Sequence, residues 1–145
     1  ETYRHLEIPY DCRRVSLGQR HLEALRDGIT ALSDLGLSEK EIAQARANLK
    51  ILIQVNDDIQ EDVEKVLTEN RFFGFNPEHI LLVKGGYGPV YKVMENGGLV
   101  TDFGTYDTWN HGYAFLSLTW SQPYTVDVEG KRHYSCVSAL EQLKQ

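Results

Sequence analysis

Residues 49–84 read LKILIQVNDDIQEDVEKVLTENRFFGFNPEHILLVK, and the structure that this stretch adopts decides the architecture of the chain. Apolar side chains keep a spacing of three and four from Ile42 to Val66, and neither Gly nor Pro occurs from residue 38 to residue 73. Such a spacing is typical of an amphipathic helix. One interpretation is therefore a single unbroken helix from residue 39 to residue 71.

The same stretch also fits a strand followed by a helix. Residues 49–55 are apolar on more than one face, which indicates a short buried strand. Asn56 or Asp57 then caps a new helix that runs through Asn70, with acidic side chains in its first turn, where a helix N-terminus favours them. We favour this second interpretation.

The second interpretation predicts a parallel pair of strands. Asn70 and Gly74 close the helix, and Pro77 prevents its continuation. Residues 79–84, HILLVK, are rich in strand-forming side chains and form the second strand. Two strands joined through a helix make a βαβ unit, whose strands are parallel.

The N-terminal part of the chain carries helix-start patterns. Ser16 and Ser38 are each followed three residues later by a Gln or Glu, the spacing of a capping box. They predict one helix over residues 17–35, ended by Gly36, and a second from about Glu39. The weak alternation of residues 1–15 predicts an extended arm.

The C-terminal part of the chain predicts two antiparallel hairpins. The first joins residues 90–93 to 99–103 through Asn96-Gly97, and the second joins residues 124–128 to 133–137. The remaining expectations are loops at 85–89 and 104–112, a strand or short helix at 113–120, and a terminal helix capped by Ser138.

These elements predict one domain of 145 residues in a mixed α/β to α+β class. A βαβ unit is continued by antiparallel hairpins, and helices lie N-terminal to it. The alternative, which follows from the unbroken helix, is a long αα-hairpin packed on an antiparallel sheet.

Composition limits the function classes. The chain is acidic, with a net charge of −6 from 21 acidic and 15 basic residues, which argues against a nucleic-acid partner. No apolar run approaches the roughly 20 residues that span a bilayer, and there is no signal-peptide pattern, so we expect a soluble, cytoplasmic protein without a membrane partner. Cys12 and Cys136 are expected to be free thiols, with one disulfide as the alternative.

Residues 104–112 contain the polar side chains that suggest chemistry. Asp107 and His111 are candidates for an acid–base pair or for metal ligands, which would make the chain a small hydrolase or lyase. The other interpretation is a polar loop whose side chains bond their own backbone. A third ligand at diagnostic spacing is missing, so we predict no metal and no cofactor.

A set of short motifs follows one another over residues 49–118. The strand 49–55 leads into Asn56-Asp57-Asp58, and the next helix leads into Phe72-Phe73-Gly74 and Pro77. Pro89, the hairpin at Asn96-Gly97 and Asn110-His111-Gly112 come next. In this order the motifs resemble the UDP-sugar pyrophosphorylases, a nucleotidyltransferase family that includes UDP-glucose and UDP-N-acetylglucosamine pyrophosphorylases.

The resemblance implies a ligand and a site. It implies that Asn56, Asp57 and Asp58 lie near a sugar phosphate, and that His111 and Gly112 lie near a uridine nucleotide. The glycine-rich nucleotide loop of the family and its motif with a metal-binding Asp have no counterpart here. We therefore expect a sugar-nucleotide-related, nucleotidyltransferase-like domain, a fragment or relict that is not catalytic by itself.

A second hypothesis is a small acidic module that binds another protein. An inhibitor, an immunity protein or an accessory subunit would each suit the small size and the negative charge. Topology separates the two hypotheses: parallel strands at 49–55 and 79–84 favour the nucleotidyltransferase likeness, and one unbroken helix from 39 to 71 excludes it.

Overall fold

The computed structural model describes residues 15–108 and 111–144, and the side chains of residues 108–114 fall outside that description. The helices are α1 (Leu17–Thr30), α2 (Glu39–Asn48), α3 (Gln60–Glu69), α4 (His111–Trp120) and α5 (Ala139–Lys144), with short 3-10 turns at Ala31–Leu35, Arg71–Gly74 and Pro77–His79. The strands are β1 (Ile51–Val55), β2 (Ile80–Lys84), β3 (Tyr87–Val93), β4 (Leu99–Thr108), β5 (Tyr124–Val126) and β6 (Arg132–Tyr134). The extended arm predicted at residues 1–15 lies, except for Val15, outside the described residues.

The strand-then-helix interpretation of residues 49–84 is confirmed. Helix α2 ends because Leu49 adopts an extended backbone, with φ −65° and ψ 125°. Strand β1 then pairs in parallel with β2, in a register that runs from Ile51 opposite Ile80 to Val55 opposite Lys84. The unbroken helix, and with it the long αα-hairpin, is wrong. Mixed α/β architecture with N-terminal helices is confirmed, in the α+β class.

The main sheet has the strand order β1-β2-β5-β6 within the described part of the chain. Only β1 and β2 are parallel, and β5 and β6 continue the sheet as the predicted second hairpin. Strand β2 is covered on both faces, since Ile80, Leu81, Leu82 and Val83 are all 3% exposed or less. This double burial explains why its sequence is continuously apolar rather than alternating.

The hydrophobic core lies between α3 and one face of the main sheet. Leu67 of α3 packs with Val55, Leu82 and Tyr124 of three different strands. On the opposite face, helices α4 and α5 pack against each other, and α4 also contacts β2. The sheet is therefore the middle layer of the described fold.

The helix starts that the sequence predicts are confirmed. The Ser16 hydroxyl accepts from the backbone N–H of Gln19, and Ser38 forms a full capping box with Glu41. Ser138 begins α5 in the same way, with its hydroxyl accepting from the backbone N–H of Glu141. Each of these caps satisfies N–H groups that the first turn of a helix leaves without a partner.

A left-handed turn connects α3 to the segment before β2. Arg71, Phe72 and Phe73 have φ values of 49°, 54° and 55°, and Gly74 follows at 80°. Non-glycine residues adopt this conformation at a cost of roughly 1–2 kcal/mol each. Phe72 and Phe73 are only 3% and 4% exposed, and burial of each ring is worth about 1.5–3 kcal/mol, which offsets the strain.

Strands β3 and β4 form a separate two-stranded ribbon, longer than the predicted first hairpin. The loops predicted at 85–89 and 104–112 are therefore wrong in part, because β3 begins at Tyr87 and β4 runs to Thr108. No described residue of either strand is buried. A ribbon without a buried face places little demand on sequence, so its glycines and polar residues resemble those of a loop.

A β-bulge interrupts the ribbon where the register shifts between Pro89 and Val90. On β4 it is held by Asp102, whose carboxylate accepts from the Gly104 backbone N–H at 3.0 Å and from the Thr105 hydroxyl at 2.8 Å. The ion pair with Lys92, together with these two hydrogen bonds, lowers the pKa of Asp102 to about 2.

A half-buried polar cluster connects α3 to the second hairpin. The Glu64 carboxylate accepts two hydrogen bonds from Arg132 Nε, at 2.9 and 3.0 Å, and one from Nη2 at 2.9 Å. It also accepts from the Tyr124 hydroxyl at 2.7 Å and from Gln60 Nε2 at 3.0 Å. Because Glu64 and Arg132 are 68 residues apart, this cluster fixes the helix against the far strands of the sheet.

Candidate functional site

The carboxyl ends of β1 and β2 form the candidate site. Val55, the last residue of β1, lies opposite Lys84, the last residue of β2. The segments that follow, residues 56–58 and 85–87, therefore leave the sheet at the same edge. In open α/β sheets, ligands bind at the carboxyl ends of parallel strands. We name residues 56–58 and 84–87 the sheet-edge site.

Asn56 shapes the backbone of the sheet-edge site. Its side-chain Oδ1 accepts from the backbone N–H of Asp58 at 3.1 Å and of Ile59 at 3.0 Å. These bonds hold residues 57–59 in a turn, so α3 begins at Gln60. The predicted cap position, Asn56 or Asp57, is therefore two or three residues too early, because the N-cap of α3 is Ile59. The side-chain oxygen of Asn56 is therefore occupied by the backbone N–H groups of Asp58 and Ile59.

Asp57 carries one of the two carboxylates of the site and pairs with the Lys84 ammonium. The hydrogen bond to Asp57 is the main cause that raises the pKa of Lys84. The side chains are 63% and 51% exposed, and a surface ion pair of this kind contributes little to stability. The pair therefore breaks at small cost, and its lysine is accessible from solvent.

Asp58 ties the ribbon to the sheet edge. Its Oδ2 accepts a hydrogen bond of 3.0 Å from the Tyr87 hydroxyl at the start of β3. Burial is the largest cause that raises the pKa of Tyr87, and the hydrogen bond to Asp58 adds to it. The phenol consequently stays protonated and donates throughout the physiological range.

Gly85 allows the chain to pass close to β1. Its backbone N–H donates to the Val55 carbonyl at 2.6 Å, and a Cβ atom at this position would lie 2.6 Å from Gln54 Nε2. On the other side of the strand end, the Ser121 hydroxyl donates to the Lys84 carbonyl at 2.9 Å. The backbone at Lys84 and Gly85 is thus fixed by two neighbouring segments, β1 and the chain at Ser121.

His111 and Gly112 belong to the predicted site but their side chains lie outside the described residues. They are the first two residues of α4. Thr108 pairs with Tyr87, so the chain returns toward the sheet-edge site three residues before His111. Asp107, the proposed acid–base partner of His111, has an exposed side chain and lies opposite Gly88 on the ribbon.

Lys84 and Tyr87 are site residues that the sequence did not predict. The available signal was the position of Lys84 at the end of the predicted strand 79–84, since parallel pairing brings that position beside the end of residues 49–55. Among the described residues, no group of three His, Cys, Asp or Glu side chains is arranged to hold a metal ion. Cys136 is an exposed free thiol, and Cys12 lies outside the described residues.

A second concave region lies between α1, β1 and α3. This groove has a volume of about 720 Å³, and its described lining is mainly aliphatic, including Leu22, Leu25, Ile51, Val63 and Val66. No Lys or Arg occurs among the described lining residues. His21 is the one basic side chain in the described lining of the groove, whereas the sheet-edge site has the ammonium of Lys84.

Replacement of Asn56 with alanine is expected to lower the free energy of unfolding by about 1 kcal/mol, since two backbone N–H groups lose their acceptor. Urea unfolding followed by circular dichroism measures the change. Asn56→Ser is the control, because a hydroxyl can accept the same hydrogen bonds and should retain most of the stability. An equal loss in both variants would contradict the role of the side-chain oxygen.

No helix among the described residues is long and apolar enough to cross a membrane. No protein-family model, no curated protein and no solved structure matches the chain.

Proposed function

We propose that the sheet-edge site binds a sugar phosphate or a uridine nucleotide, and that this chain by itself does not transfer the nucleotidyl group. One observation carries the proposal: the parallel register of β1 and β2, which ends with Val55 opposite Lys84. That register places the motif Asn56-Asp57-Asp58 beside a lysine and a tyrosine. It is also the topology that the resemblance to UDP-sugar pyrophosphorylases requires.

The side chains of the sheet-edge site suit the two parts of a sugar phosphate. The Lys84 ammonium is a point charge that pairs with a phosphate, and its present partner Asp57 is held by an exposed ion pair of small worth. The carboxylates of Asp57 and Asp58 accept hydrogen bonds from sugar hydroxyls. Gly86 has no side chain to cover its backbone, whereas the backbone N–H of Gly85 is bonded to the Val55 carbonyl.

Calorimetric titration with glucose 1-phosphate and with UDP-glucose tests the proposal. Lys84→Ala is expected to weaken binding about tenfold, because a charge-assisted hydrogen bond to phosphate is lost. Lys65→Ala is the matched control, since Lys65 is also in an exposed ion pair, with Glu69, on α3. Its affinity should equal that of the unmodified chain.

Asp57→Asn is expected to change the affinity for a phosphate ligand in the opposite direction to Lys84→Ala. The change removes the carboxylate that competes with phosphate for Lys84, so a phosphate ligand is expected to bind more tightly. If neither ligand binds, or if Lys65→Ala weakens binding as much as Lys84→Ala, the proposal is wrong. The protein-binding module then becomes the better hypothesis.

A further inference from the structure

Strand β1 has a free edge within the described part of the chain. The main sheet runs in the order β1-β2-β5-β6, so β1 pairs with β2 on one side and with no described strand on the other. An unpaired edge presents backbone N–H and C=O groups that can bind a further extended segment. Natural proteins often protect such an edge with charged side chains, and β1 has none between Ile51 and Val55.

The pairing of β1 with β2 identifies the backbone groups at this edge. The Val55 carbonyl accepts from the Gly85 backbone N–H, so Val55 directs its peptide groups toward the side of β2. In a parallel strand, the N–H and C=O of one residue point to the same neighbour, and successive residues alternate between the two sides. The peptide groups of Leu52 and Gln54 therefore point to the free edge.

The groove between α1, β1 and α3 runs along this edge. Its lining includes residues 51–54 of β1 one after another. Successive side chains of a strand point to opposite faces, so a groove that touches four successive residues follows the edge of the strand and not one face. The walls of the groove are Leu22 and Leu25 of α1 and Val63 and Val66 of α3.

Residues 1–14 lead directly into the groove. The described chain begins at Val15, and the next residue, Ser16, already belongs to the groove lining, as do Gly18 and Gln19. A segment of this length spans up to about 46 Å when extended, whereas β1 needs only about 17 Å. Residues 1–14 are therefore long enough to turn back and run beside the whole of β1.

The sequence of this segment suits an added strand. Leu6, Ile8 and Tyr10 place an apolar side chain at every second position, which is the period of a strand with one buried face. Pro9 has no N–H group, and a strand tolerates proline where that position faces away from its neighbour. A strand with Pro9 facing outward directs the peptide groups of Leu6, Ile8 and Tyr10 toward β1.

We propose that residues 5–10 bind along the free edge of β1 as a further strand of the main sheet. Leu6 and Ile8 lie beside Ile51 and Ile53, on the face of the sheet where these two pack against the hydrophobic core. The added strand gives the edge-facing groups of β1 hydrogen-bond partners, and its apolar side chains fill the groove.

Hydrogen exchange of the full chain, followed by NMR, tests the proposal at Leu52 and Gln54, whose amides point to the free edge. We expect both amides to be protected, and Ile8→Ser to speed their exchange at least about tenfold, because the apolar contact that holds the added strand is lost. Glu7→Ser is the matched control, since it introduces the same side chain at a neighbouring position that faces away from the groove, and should leave the exchange unchanged. The Ile53 amide points to β2, so it should stay protected in both variants and shows that the sheet is intact.

Three outcomes overturn the proposal. Unprotected edge amides in the unmodified chain would leave the edge free and the groove open to an apolar ligand. Equal exchange rates in Ile8→Ser and Glu7→Ser would place residues 5–10 outside the groove. Protection that rises with protein concentration would assign the added strand to a second copy of the chain. The sheet-edge site begins at Asn56, beyond the part of β1 that lines the groove, so ligand binding there succeeds or fails separately.

Discussion

Leu82→Ala is expected to lower the free energy of unfolding by about 3–5 kcal/mol, a large part of the roughly 5–15 kcal/mol that stabilises an ordinary domain. Leu82 is 0% exposed and packs in the core from the centre of β2. Truncation removes apolar contacts and leaves a cavity that a strand bonded on both sides cannot close. Urea unfolding followed by tryptophan fluorescence and by circular dichroism measures the loss.

Leu35→Ala is the matched control for Leu82→Ala. The same atoms are removed from a side chain that is 77% exposed, at the end of the turn after α1. We expect a change within about 0.5 kcal/mol, which is usual for a surface position. A similar loss in both variants would show that β2 is not the buried centre of the sheet.

Glu64→Ala is expected to lower the free energy of unfolding at pH 7 by about 2–3 kcal/mol. The change leaves Arg132, Tyr124 and Gln60 without the carboxylate that binds all three. The Arg132 side chain is 35% exposed and regains water in part, so the loss is smaller than for a fully buried pair. Glu69→Ala, which breaks only an exposed pair with Lys65, should change stability by less than about 0.5 kcal/mol.

Lowering the pH should remove the contribution of Glu64 to the free energy of unfolding. Burial alone raises the pKa of this carboxyl, and the hydrogen bonds from Arg132, Tyr124 and Gln60 outweigh burial, so the pKa lies below the ordinary 4.5. A lowered pKa means that the stabilisation is complete above pH 4.5 and is lost as the pH falls through the lowered pKa. The stability difference between the unmodified chain and Glu64→Gln should therefore shrink below pH 4.5. A constant difference would contradict this role.

The parallel unit was predictable because its signals are local. A capping box at Ser38, an apolar run at 49–55 and the stop at Pro77 each act within a few residues, and the structure keeps all three. The N-cap of α3 was placed two or three residues too early, because the side chain of Asn56 captures two backbone N–H groups and holds a turn in place of a helix.

The base of the ribbon and the polar cluster were beyond the reach of sequence patterns for different reasons. The hairpin of residues 90–93 and 99–103 was predicted, but the strands extend beyond it to Tyr87 and Thr108. The ribbon has no buried face in its described part, so these added residues lack the alternation by which strands are identified. The cluster depends on Arg132 meeting Glu64 across 68 residues, and nothing near either residue in the chain indicates the other.

The sequence indicated where the candidate site lies, but it did not indicate all of the residues that form it. The motif at residues 56–58 lies at the carboxyl end of a parallel strand, where the strand-then-helix interpretation places it. Lys84 and Tyr87 join that edge only through the pairing of β1 with β2 and the bond from Tyr87 to Asp58. Lys84 and Tyr87 belong to the site because of the tertiary structure, which the spacing of residues along the chain does not reveal.

The most direct test of the sheet-edge site is a titration of the uniformly ¹⁵N-labelled chain with glucose 1-phosphate and with UDP-glucose, followed by amide chemical shifts. We predict saturable shifts concentrated at residues 56–58 and 84–87, and their loss in Lys84→Ala. No shifts at millimolar ligand, or shifts confined to the groove between α1, β1 and α3, would contradict the assignment of the site.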